Sequence, residues 1–492
     1  MTTVHRVLYP EPVATLADYV ATGGGRGLEA ARSVEADVLI AEVEASGLRG
    51  RGGAGFPTGT KWRTVLEHAS PAVATTVVVN AAEGEPGTFK DRTILRRCPF
   101  HVLEGALIAA RAVGATQVVF GMKATFEREV ARVRAAVEEA RAAGWVDDGV
   151  EVSVFEGPSE YLYGEETALL EALAGRQPFP RIAPPYRRGV LEVVDTDEEA
   201  ASGSGLAAPV NMAGPTDEDV APPTLVDNVE TLANVPAIVA EGAAWFRSLG
   251  TDESPGTIVC TVTGSVKRPG VGEVPMGTPL REVIDAVGGG ARHGRTIRAV
   301  LSGVANGLVE GDHLDTPVSY EAMREVGSGV GSGGFMVFDD GDDVAAVVAG
   351  VSRFLAVESC GQCTPCKVDG IALSDLLARL CRGEAEPHDL DEIAKRAGTV
   401  GDRARCYLAL QHQAVVTSAV ERFGADLRAH VEGTAQPVDP VLVTELVDVD
   451  GGKVTLDERF RDKQPDWTYG DTYSGKAPAD VHGEHRLADP QP

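Results

Sequence analysis

Apolar positions in the first third of the chain alternate between helical spacing and short β-branched runs. We expect a mostly parallel sheet covered by helices, because predicted helices and strands follow one another in turn. In chain order, the pattern predicts helices or strands at Ser33–Ser46, Lys61–His68, Thr75–Asn80, His101–Val113, Gln117–Phe120 and Phe126–Ala143.

The pattern changes twice in the second half of the chain. Short strands with Gly and Pro turns between residues 256 and 338 predict a small β-rich domain, and helical periodicity returns over Val344–Glu432. An Asp-Gly-Gly turn at residues 450–452 predicts a hairpin, and we expect disorder from Ser474 onward. The expected parts are an α/β domain (1–250), a β-rich domain (251–341), a helical bundle (342–432) and an acidic, partly disordered tail (433–492).

The charge balance restricts the possible partners. The 492 residues include 45 Lys and Arg against 73 Asp and Glu, which gives a net charge of −28. Nucleic-acid and anionic-membrane binders need clustered cations, so neither partner is expected. No apolar run approaches the roughly 20 residues that span a bilayer, and we expect a cytoplasmic protein. The charge is uneven, because residues 191–220 contain eight acidic residues and no Lys or Arg, which predicts an acidic insert.

The seven cysteines are too few for a secreted disulfide framework. Cys360, Cys363 and Cys366 have the C-x2-C-x2-C spacing that directs three thiolates to one centre, and Cys381 or Cys406 can supply a fourth. Such a compact set favours a [4Fe–4S] cluster. A structural zinc site is the alternative, but such sites usually pair two separate C-x2-C arms.

A glycine-rich loop at residues 47–61 gives a second signal. It matches G-x-G-x-x-G from Gly50, but a predicted helix precedes it where a Rossmann loop requires a strand. It is not a Walker loop, because Thr60 separates Gly59 from Lys61. Exposed backbone N–H groups beside three cations nevertheless predict an anion-binding loop.

Two further segments carry polar groups at places where ligands bind. Residues 80–92 follow a predicted strand end, and residues 161–167 contain two tyrosines, a glycine and paired glutamates. Each segment alone would be interpreted as a solvated turn or a helix start. Their occurrence in one chain with the glycine loop and the cysteines favours a binding function.

Six segments in the same order resemble a known family: GLRGRGGAGFPTGTKW (47–62), EGEPGTFKDR (83–92), YGEETALLEALAG (163–175), DNVETLANVP (227–236), RPGVGEVPMGTPL (268–280) and ESCGQCTPC (358–366). The chain resembles the 51 kDa NADH-binding flavoprotein subunit of NADH:quinone oxidoreductase (complex I) and related subunits of NAD-linked hydrogenases and formate dehydrogenases. The resemblance covers about residues 30–430. It implies an FMN-binding α/β domain with a non-Rossmann nucleotide loop, a ubiquitin-like β-grasp domain of the soluble-ligand-binding (SLBB) type and a helical bundle with one [4Fe–4S] cluster.

The resemblance also implies the site residues. Cys406 rather than Cys381 becomes the fourth cluster ligand, beside Cys360, Cys363 and Cys366. No side chain acts as a nucleophile or general base, and Glu83, Glu165 and Glu166 orient the nicotinamide. The implied FMN and NADH set is Gly50, Arg51, Gly52, Gly53, Ala54, Gly55, Phe56, Gly59, Lys61, Asn80, Glu83, Tyr161, Gly164, Glu165, Glu166, Tyr186, Asn228 and Thr231.

The implied activity is that of an NADH dehydrogenase (diaphorase) subunit, in which a hydride passes from NADH to FMN and single electrons pass to the cluster. The implied acceptor is a thioredoxin-like [2Fe–2S] subunit, a ferredoxin or a larger dehydrogenase complex peripheral to a membrane. One alternative is an electron-transfer subunit that has lost NADH and takes electrons from another donor. A second alternative is a non-redox scaffold with a zinc-stapled bundle.

Five positions depart from the family pattern, and two of them, Ala82 and Ala183, motivate the first alternative together with the acidic insert. Ala82 replaces an Asp, Tyr163 a cysteine, Asp227 an asparagine, Ala183 a lysine and Lys367 an arginine. The loss of a cation at Ala183 would weaken nucleotide binding by about 1 kcal/mol or more. The acidic insert also lies close to the expected NADH entrance.

Overall fold

The structure is a computed structural model that describes residues 3–69, 73–146, 149–182 and 223–482. Three of the sequence-based expectations lie outside these residues: the acidic insert at 191–220, Ala183 and Tyr186. The rest of the site falls within the described ranges.

The N-terminal part contains a four-stranded, wholly parallel sheet in the order β3-β2-β1-β4, which confirms the predicted parallel arrangement. The strands are β1 (Thr75–Ala81), β2 (Ala115–Lys123), β3 (Glu151–Gly157) and β4 (Thr224–Asn228). The helices are α1 (Leu16–Ala21), α2 (Arg26–Arg32), α3 (Ala36–Ser46), α4 (Thr58–Glu67), α5 (Lys90–Arg97), α6 (Pro99–Val113), α7 (Glu127–Ala142), α8 (Glu166–Leu173), α9 (Val229–Glu241) and α10 (Ala243–Phe246).

The central strand β1 is buried on both faces. Val77 and Val79 pack into the large core that includes α6, and Val78 packs on the opposite face with Tyr163 and Leu169. Parallel sheets require this two-sided cover, and continuous Val-rich strands are its sequence signature. The carboxyl ends of β1 and β4 therefore lie side by side, with Asn80 paired to Asn228.

A second sheet has the order β6-β5-β9-β7-β8, with β5 and β9 parallel at its centre and the other pairs antiparallel. Its own hydrophobic core includes residues of the two helices α11 and α12. The elements are β5 (Thr257–Gly264), β6 (Gly270–Pro275), α11 (Leu280–Gly288), β7 (Ile297–Ser302), β8 (Val309–Glu310), α12 (Tyr320–Glu325) and β9 (Gly334–Asp339).

A helical bundle and an extension follow. The elements are α13 (Val344–Glu358), α14 (Thr364–Cys381), α15 (Pro387–Thr399), α16 (Tyr407–Arg422), α17 (Gly424–Val431), β10 (Leu446–Asp450) and β11 (Lys453–Leu456). Strands β10 and β11 form the predicted antiparallel hairpin. The expectation of disorder from Ser474 is wrong for residues 474–482, which include a helical turn at 478–482. In the described ranges, no helix has the length and apolar character needed to cross a membrane.

Candidate functional site

The glycine loop connects α3 to α4 and is closed at its base. Gly47 ends α3 with a φ of +70°, a left-handed conformation that glycine adopts without strain. The Gly50 N–H donates to the Phe56 carbonyl (2.8 Å), and the Thr58 N–H donates to the Leu48 carbonyl (2.9 Å). These two bonds fix both ends of the loop, so its middle residues project as one unit.

The outer face of this loop exposes backbone N–H groups. Within the described residues, the N–H groups of Gly52 and Gly53 have no hydrogen-bond acceptor. Gly53 has a φ of +132°, and a Cβ atom there would meet nothing within 4 Å. The Phe56 ring next to it is 54% exposed. The N–H groups of the loop can therefore donate hydrogen bonds to the phosphate oxygens of a nucleotide, and a flat ring can stack beside Phe56.

The side chain of Arg51, a member of the implied cofactor-binding set, lies inside the protein. Its side chain is 1% exposed, and its guanidinium donates to the Pro255 carbonyl (3.2 Å) and lies 4.0 Å from Glu230. Its backbone N–H donates to the Thr231 hydroxyl (2.8 Å). Arg51 and Thr231 thus hold the back of the loop.

Lys61 lies in the first turn of α4, beside the ends of β4 and α8. Its ammonium group is 2.6 Å from Glu166 and 3.9 Å from Asp227, and it also donates to the Val226 carbonyl. Burial lowers the pKa of Lys61, but Glu166 and Asp227 more than offset this and raise it above its ordinary value. Burial raises the pKa of Asp227 to about 6, although the charge of Lys61 and the hydrogen bond from Trp62 act to lower it.

The turn at Tyr161–Gly164 meets the end of β1. The Asn80 amide donates to the Gly164 carbonyl (2.8 Å). Glu165 then caps α8, because its carboxylate accepts hydrogen bonds from the N–H groups of Thr167 (3.0 Å) and Ala168 (2.8 Å). Burial raises the pKa of Glu165, and those hydrogen bonds oppose the rise.

A buried ionic cluster beneath the glycine loop was not expected from the sequence. The ammonium of Lys90 lies 2.6 Å from Asp91 and 3.0 Å from Glu230, with no exposed surface. Asn228 joins this cluster, since its amide donates to Asp91 (2.7 Å). The Asn228 side chain also packs against Gly52, at the place where the Cβ atom of a larger residue would lie. The predicted residue Asn228 therefore links the loop to a rigid charged base.

The carboxylate of Glu83 is also held by hydrogen bonds inside the protein. It accepts hydrogen bonds from the Asp91 N–H (2.8 Å) and from the Arg92 guanidinium (3.0 Å), and both paired side chains are 2% exposed. In this arrangement Glu83 fixes the start of α5.

Tyr161 faces the bundle. Its hydroxyl donates to Glu85 and accepts a hydrogen bond from Gln411 on α16 (3.1 Å), and its ring meets Phe354 edge-on. The Glu85 carboxylate also accepts the Val304 N–H (2.7 Å) from the second sheet. Tyr161 and Glu85 thus connect the α/β part with both other parts.

The four predicted cluster ligands line one cavity. Cys360, Cys363, Cys366 and Cys406 share it with Leu162, Pro180 and Arg405, whose N–H approaches the Cys363 sulfur at 3.4 Å. Cys381 does not line it. Cys381 ends α14, and the 15 residues from Cys366 correspond to about 22 Å of helix.

Two helices begin at this cavity. Cys363 is the N-cap of α14, and Cys406 is the N-cap of α16. Their positive ends favour anionic sulfur. Burial raises the pKa of Cys360 to about 12 and that of Cys366 to about 11, whereas metal binding favours the thiolate form of a cysteine.

The donor set fits an iron–sulfur cluster. Nowhere in the described ranges do three or more His, Cys, Asp or Glu side chains surround one ion position. The four cysteines nevertheless line one cavity, and four cysteine thiolates are the usual ligands of a [4Fe–4S] cluster.

The C-terminal extension covers the cysteine loop. The Ala479 N–H donates to the Cys360 carbonyl (2.9 Å), and Asp480 pairs with Lys367 (3.1 Å). Ala477 is buried against Gly361, where a Cβ atom would come within 2.1 Å of the alanine methyl. We refer to residues 474–482 as the C-terminal strap.

Comparison with known proteins agrees with this geometry. Residues 43–237 match the Nuo51 FMN-binding domain family, and residues 259–311 match the SLBB domain. Residues 346–430 match the NADH-ubiquinone oxidoreductase-F iron–sulfur binding region. The glycine loop and all four cysteines of the cavity fall inside matched regions.

Relatives match nearly end to end. An NADH-quinone oxidoreductase F subunit of Rhizobium meliloti is 34% identical over 426 residues, which cover 85% of this chain and 94% of the relative. This chain belongs to the family of NADH-quinone oxidoreductase F subunits. The membership confirms the predicted oxidoreductase flavoprotein function and its cofactors, FMN and a [4Fe–4S] cluster.

Members of this family also occur in hydrogenases. The NADP-reducing hydrogenase subunit HndC of Solidesulfovibrio fructosivorans is 34% identical over 444 residues, which cover 88% of this chain and 84% of HndC. A crystal structure of NAD+-reducing [NiFe]-hydrogenase in the H2-reduced state superposes with a TM-score of 0.71 at 33% identity, over 89% of this chain and 69% of that chain.

Tyr163 shows how one departure from the family pattern is accommodated. Its side chain is fully buried, and its ring occupies space that only glycine at position 157 leaves open, since a Cβ there would lie 2.2 Å from the ring. Its hydroxyl has no hydrogen-bond partner within the described residues. The tyrosine therefore fits sterically at this position, although its polar atom is unsatisfied.

Proposed function

We propose that in this chain the glycine loop binds NADH and FMN and the four-cysteine cavity holds the cluster that takes the electrons onward. One observation carries the proposal. Leu162 lines the cysteine cavity, and Glu166, four residues later, pairs with Lys61 beside the glycine loop. Four residues span at most about 14 Å, so one short segment of the chain joins the cysteine cavity to the glycine-loop site.

The roles follow from the geometry. The N–H groups of Gly52 and Gly53 bind phosphate oxygens, and the exposed Phe56 ring stacks on the nucleotide. Glu165 and Glu166, at the start of α8, orient the nicotinamide end. Glu83 contributes indirectly, because its carboxylate is held by Arg92 and fixes the start of α5. When bound, FMN supplies the conversion between the two-electron chemistry of NADH and the one-electron chemistry of the cluster. The remaining proposed members of the binding set are Gly50, Arg51, Ala54, Gly55, Gly59, Lys61, Asn80, Tyr161, Gly164, Tyr186, Asn228 and Thr231.

We also propose the domain boundaries 1–250, 251–341, 342–432 and 433–492. The sheet order β6-β5-β9-β7-β8 with a central parallel pair supports a β-grasp fold for the second domain. The position of the glycine loop between two helices supports a non-Rossmann nucleotide site. For the cluster, the proposed ligands are Cys360, Cys363, Cys366 and Cys406.

The acceptor is a partner redox protein, and we propose a thioredoxin-like [2Fe–2S] subunit, a ferredoxin or a larger dehydrogenase complex. Relatives named as subunits of a quinone oxidoreductase and of a hydrogenase support such an assembly.

An anaerobic titration of the reconstituted full chain tests the proposal. Addition of NADH should bleach the flavin absorbance and then reduce the cluster, as followed by its electron paramagnetic resonance signal. A flavin that stays oxidised at millimolar NADH would instead support the alternative, an electron-transfer subunit without NADH binding. A parallel titration with NADPH determines which nucleotide is the donor.

A further inference from the structure

Tyr320 belongs to α12 and to the core of the second sheet, yet its side chain forms part of the base of the glycine loop. Its hydroxyl donates to the Gly50 carbonyl at 2.9 Å, and the Arg51 guanidinium lies 3.4 Å from the same hydroxyl oxygen. Only 7% of Tyr320 is exposed. The contact with Gly50 joins residues 270 positions apart in the chain.

The ring of Tyr320 fills the back of the loop. Gly55 has a φ of +63°, and a Cβ atom there would lie 2.4 Å from the tyrosine ring. On the ring, the Arg49 guanidinium carbon lies 4.1 Å from the centroid, and the Arg49 Nε donates to the Gly55 carbonyl at 2.7 Å. Loop backbone, aromatic ring and guanidinium therefore form one packed unit.

Tyr320 is itself held rigidly. The Ser319 hydroxyl caps α12 by accepting the Ala322 N–H, and the Tyr320 N–H donates to the Ser254 hydroxyl at 3.1 Å. Ser254 in turn donates to Glu321 at 2.6 Å. The ring thus presents a fixed surface to a loop whose glycines have the greatest freedom to move.

We propose that Tyr320 is a positioning residue for nucleotide binding: it holds the back of the glycine loop so that the N–H groups of Gly52 and Gly53 stay directed at the phosphates. The part of the chain that contains the second sheet then contributes to the nucleotide site through this side chain. The inference rests on the proposed function of the loop and adds a residue that the loop sequence does not contain. Ordering the loop in advance lowers the entropy lost on binding.

The test uses the full-length holoprotein with three variants. Tyr320→Leu removes the ring and hydroxyl, Tyr320→Phe removes only the hydroxyl, and Met323→Ala truncates a fully buried core residue of the same helix. The measurements are the FMN dissociation constant, KM and kcat for NADH, the melting temperature and the iron content.

Tyr320→Leu should raise the FMN dissociation constant and the KM for NADH by about tenfold, with kcat within about twofold. Tyr320→Phe keeps the ring, so the FMN dissociation constant and the KM for NADH should stay within about threefold of those of the unmodified chain. Met323→Ala should lower the melting temperature while both constants stay within about twofold.

Two results would overturn the proposal. One is a Tyr320→Leu chain whose constants match those of the unmodified protein. The other is an equal rise in Met323→Ala, which would indicate a general effect of destabilising the domain. A flavin that NADH does not bleach in the unmodified chain overturns the proposed function alone, because the FMN dissociation constant still reports on the loop.

Discussion

The ammonium group of Lys61 lies 2.6 Å from a carboxylate oxygen of Glu166, so the cation nearest the glycine loop on α4 already has a counter-ion. A phosphate that binds there competes with this carboxylate for the same charge. The pair is partly exposed, at 20% and 34%, and can exchange partners with a ligand.

Replacement of Lys61 should weaken flavin binding. Lys61→Gln removes a charge-assisted hydrogen bond and should raise the FMN dissociation constant by about tenfold. Arg63→Gln is the matched control, because Arg63 lies on the same helix and pairs with Glu44 at 2.7 Å. Fluorescence titration measures the FMN dissociation constant of both variants, and equal values would show that Lys61 does not bind FMN.

Glu83 and Glu165 should respond differently to the same substitution. Glu83→Gln leaves the buried Arg92 with only the more distant carboxylate of Glu445, at 3.5 Å, and should lower the free energy of unfolding by about 2 kcal/mol. Glu165→Gln keeps an oxygen that can accept hydrogen bonds at the cap of α8 and should cost less than about 1 kcal/mol. Urea unfolding followed by circular dichroism measures both, and equal losses would contradict the distinction.

Substitutions of the two candidate cysteines should have different effects on the iron content. Cys406→Ser should abolish the cluster, because its sulfur lines the cavity, whereas Cys381→Ser should leave it intact. Iron per chain and the paramagnetic resonance spectrum of the reduced protein provide the readout. Retention of a full cluster in Cys406→Ser would defeat the assignment.

The C-terminal strap should slow the loss of iron. Ala477→Asp places a charge against Gly361, and Asp480→Asn removes the partner of Lys367. Each should speed release of iron to a chelator, and Asp480→Asn should do so by about threefold or less because its ion pair is partly exposed.

Asp439→Asn provides the control for the strap. It breaks an exposed ion pair of the extension with Arg382, at the far end of α14 from the cysteine cavity. Iron release from this variant should match that of the unmodified chain. If all three variants release iron at one rate, the strap does not protect the cluster.

Local signals explain which features could be predicted. The β-branched run of β1 and the Asp-Gly-Gly turn of the hairpin specify their structures within a few residues. The contacts of Tyr320 with Gly50 and of Lys90 with Glu230 are different, because they join residues 140 to 270 positions apart and no local pattern encodes them. The inward orientation of Arg51 has the same origin, since Pro255 and Glu230 determine it.

The strap also has a consequence for the order in which the holoprotein is assembled. During synthesis all four cysteines emerge before Ala477 and Asp480. The Ala479 N–H bonds to the Cys360 carbonyl, so the cysteine loop gains this contact only after the residues of the strap have been added. The strap therefore closes over a cysteine loop whose ligands have all been synthesised.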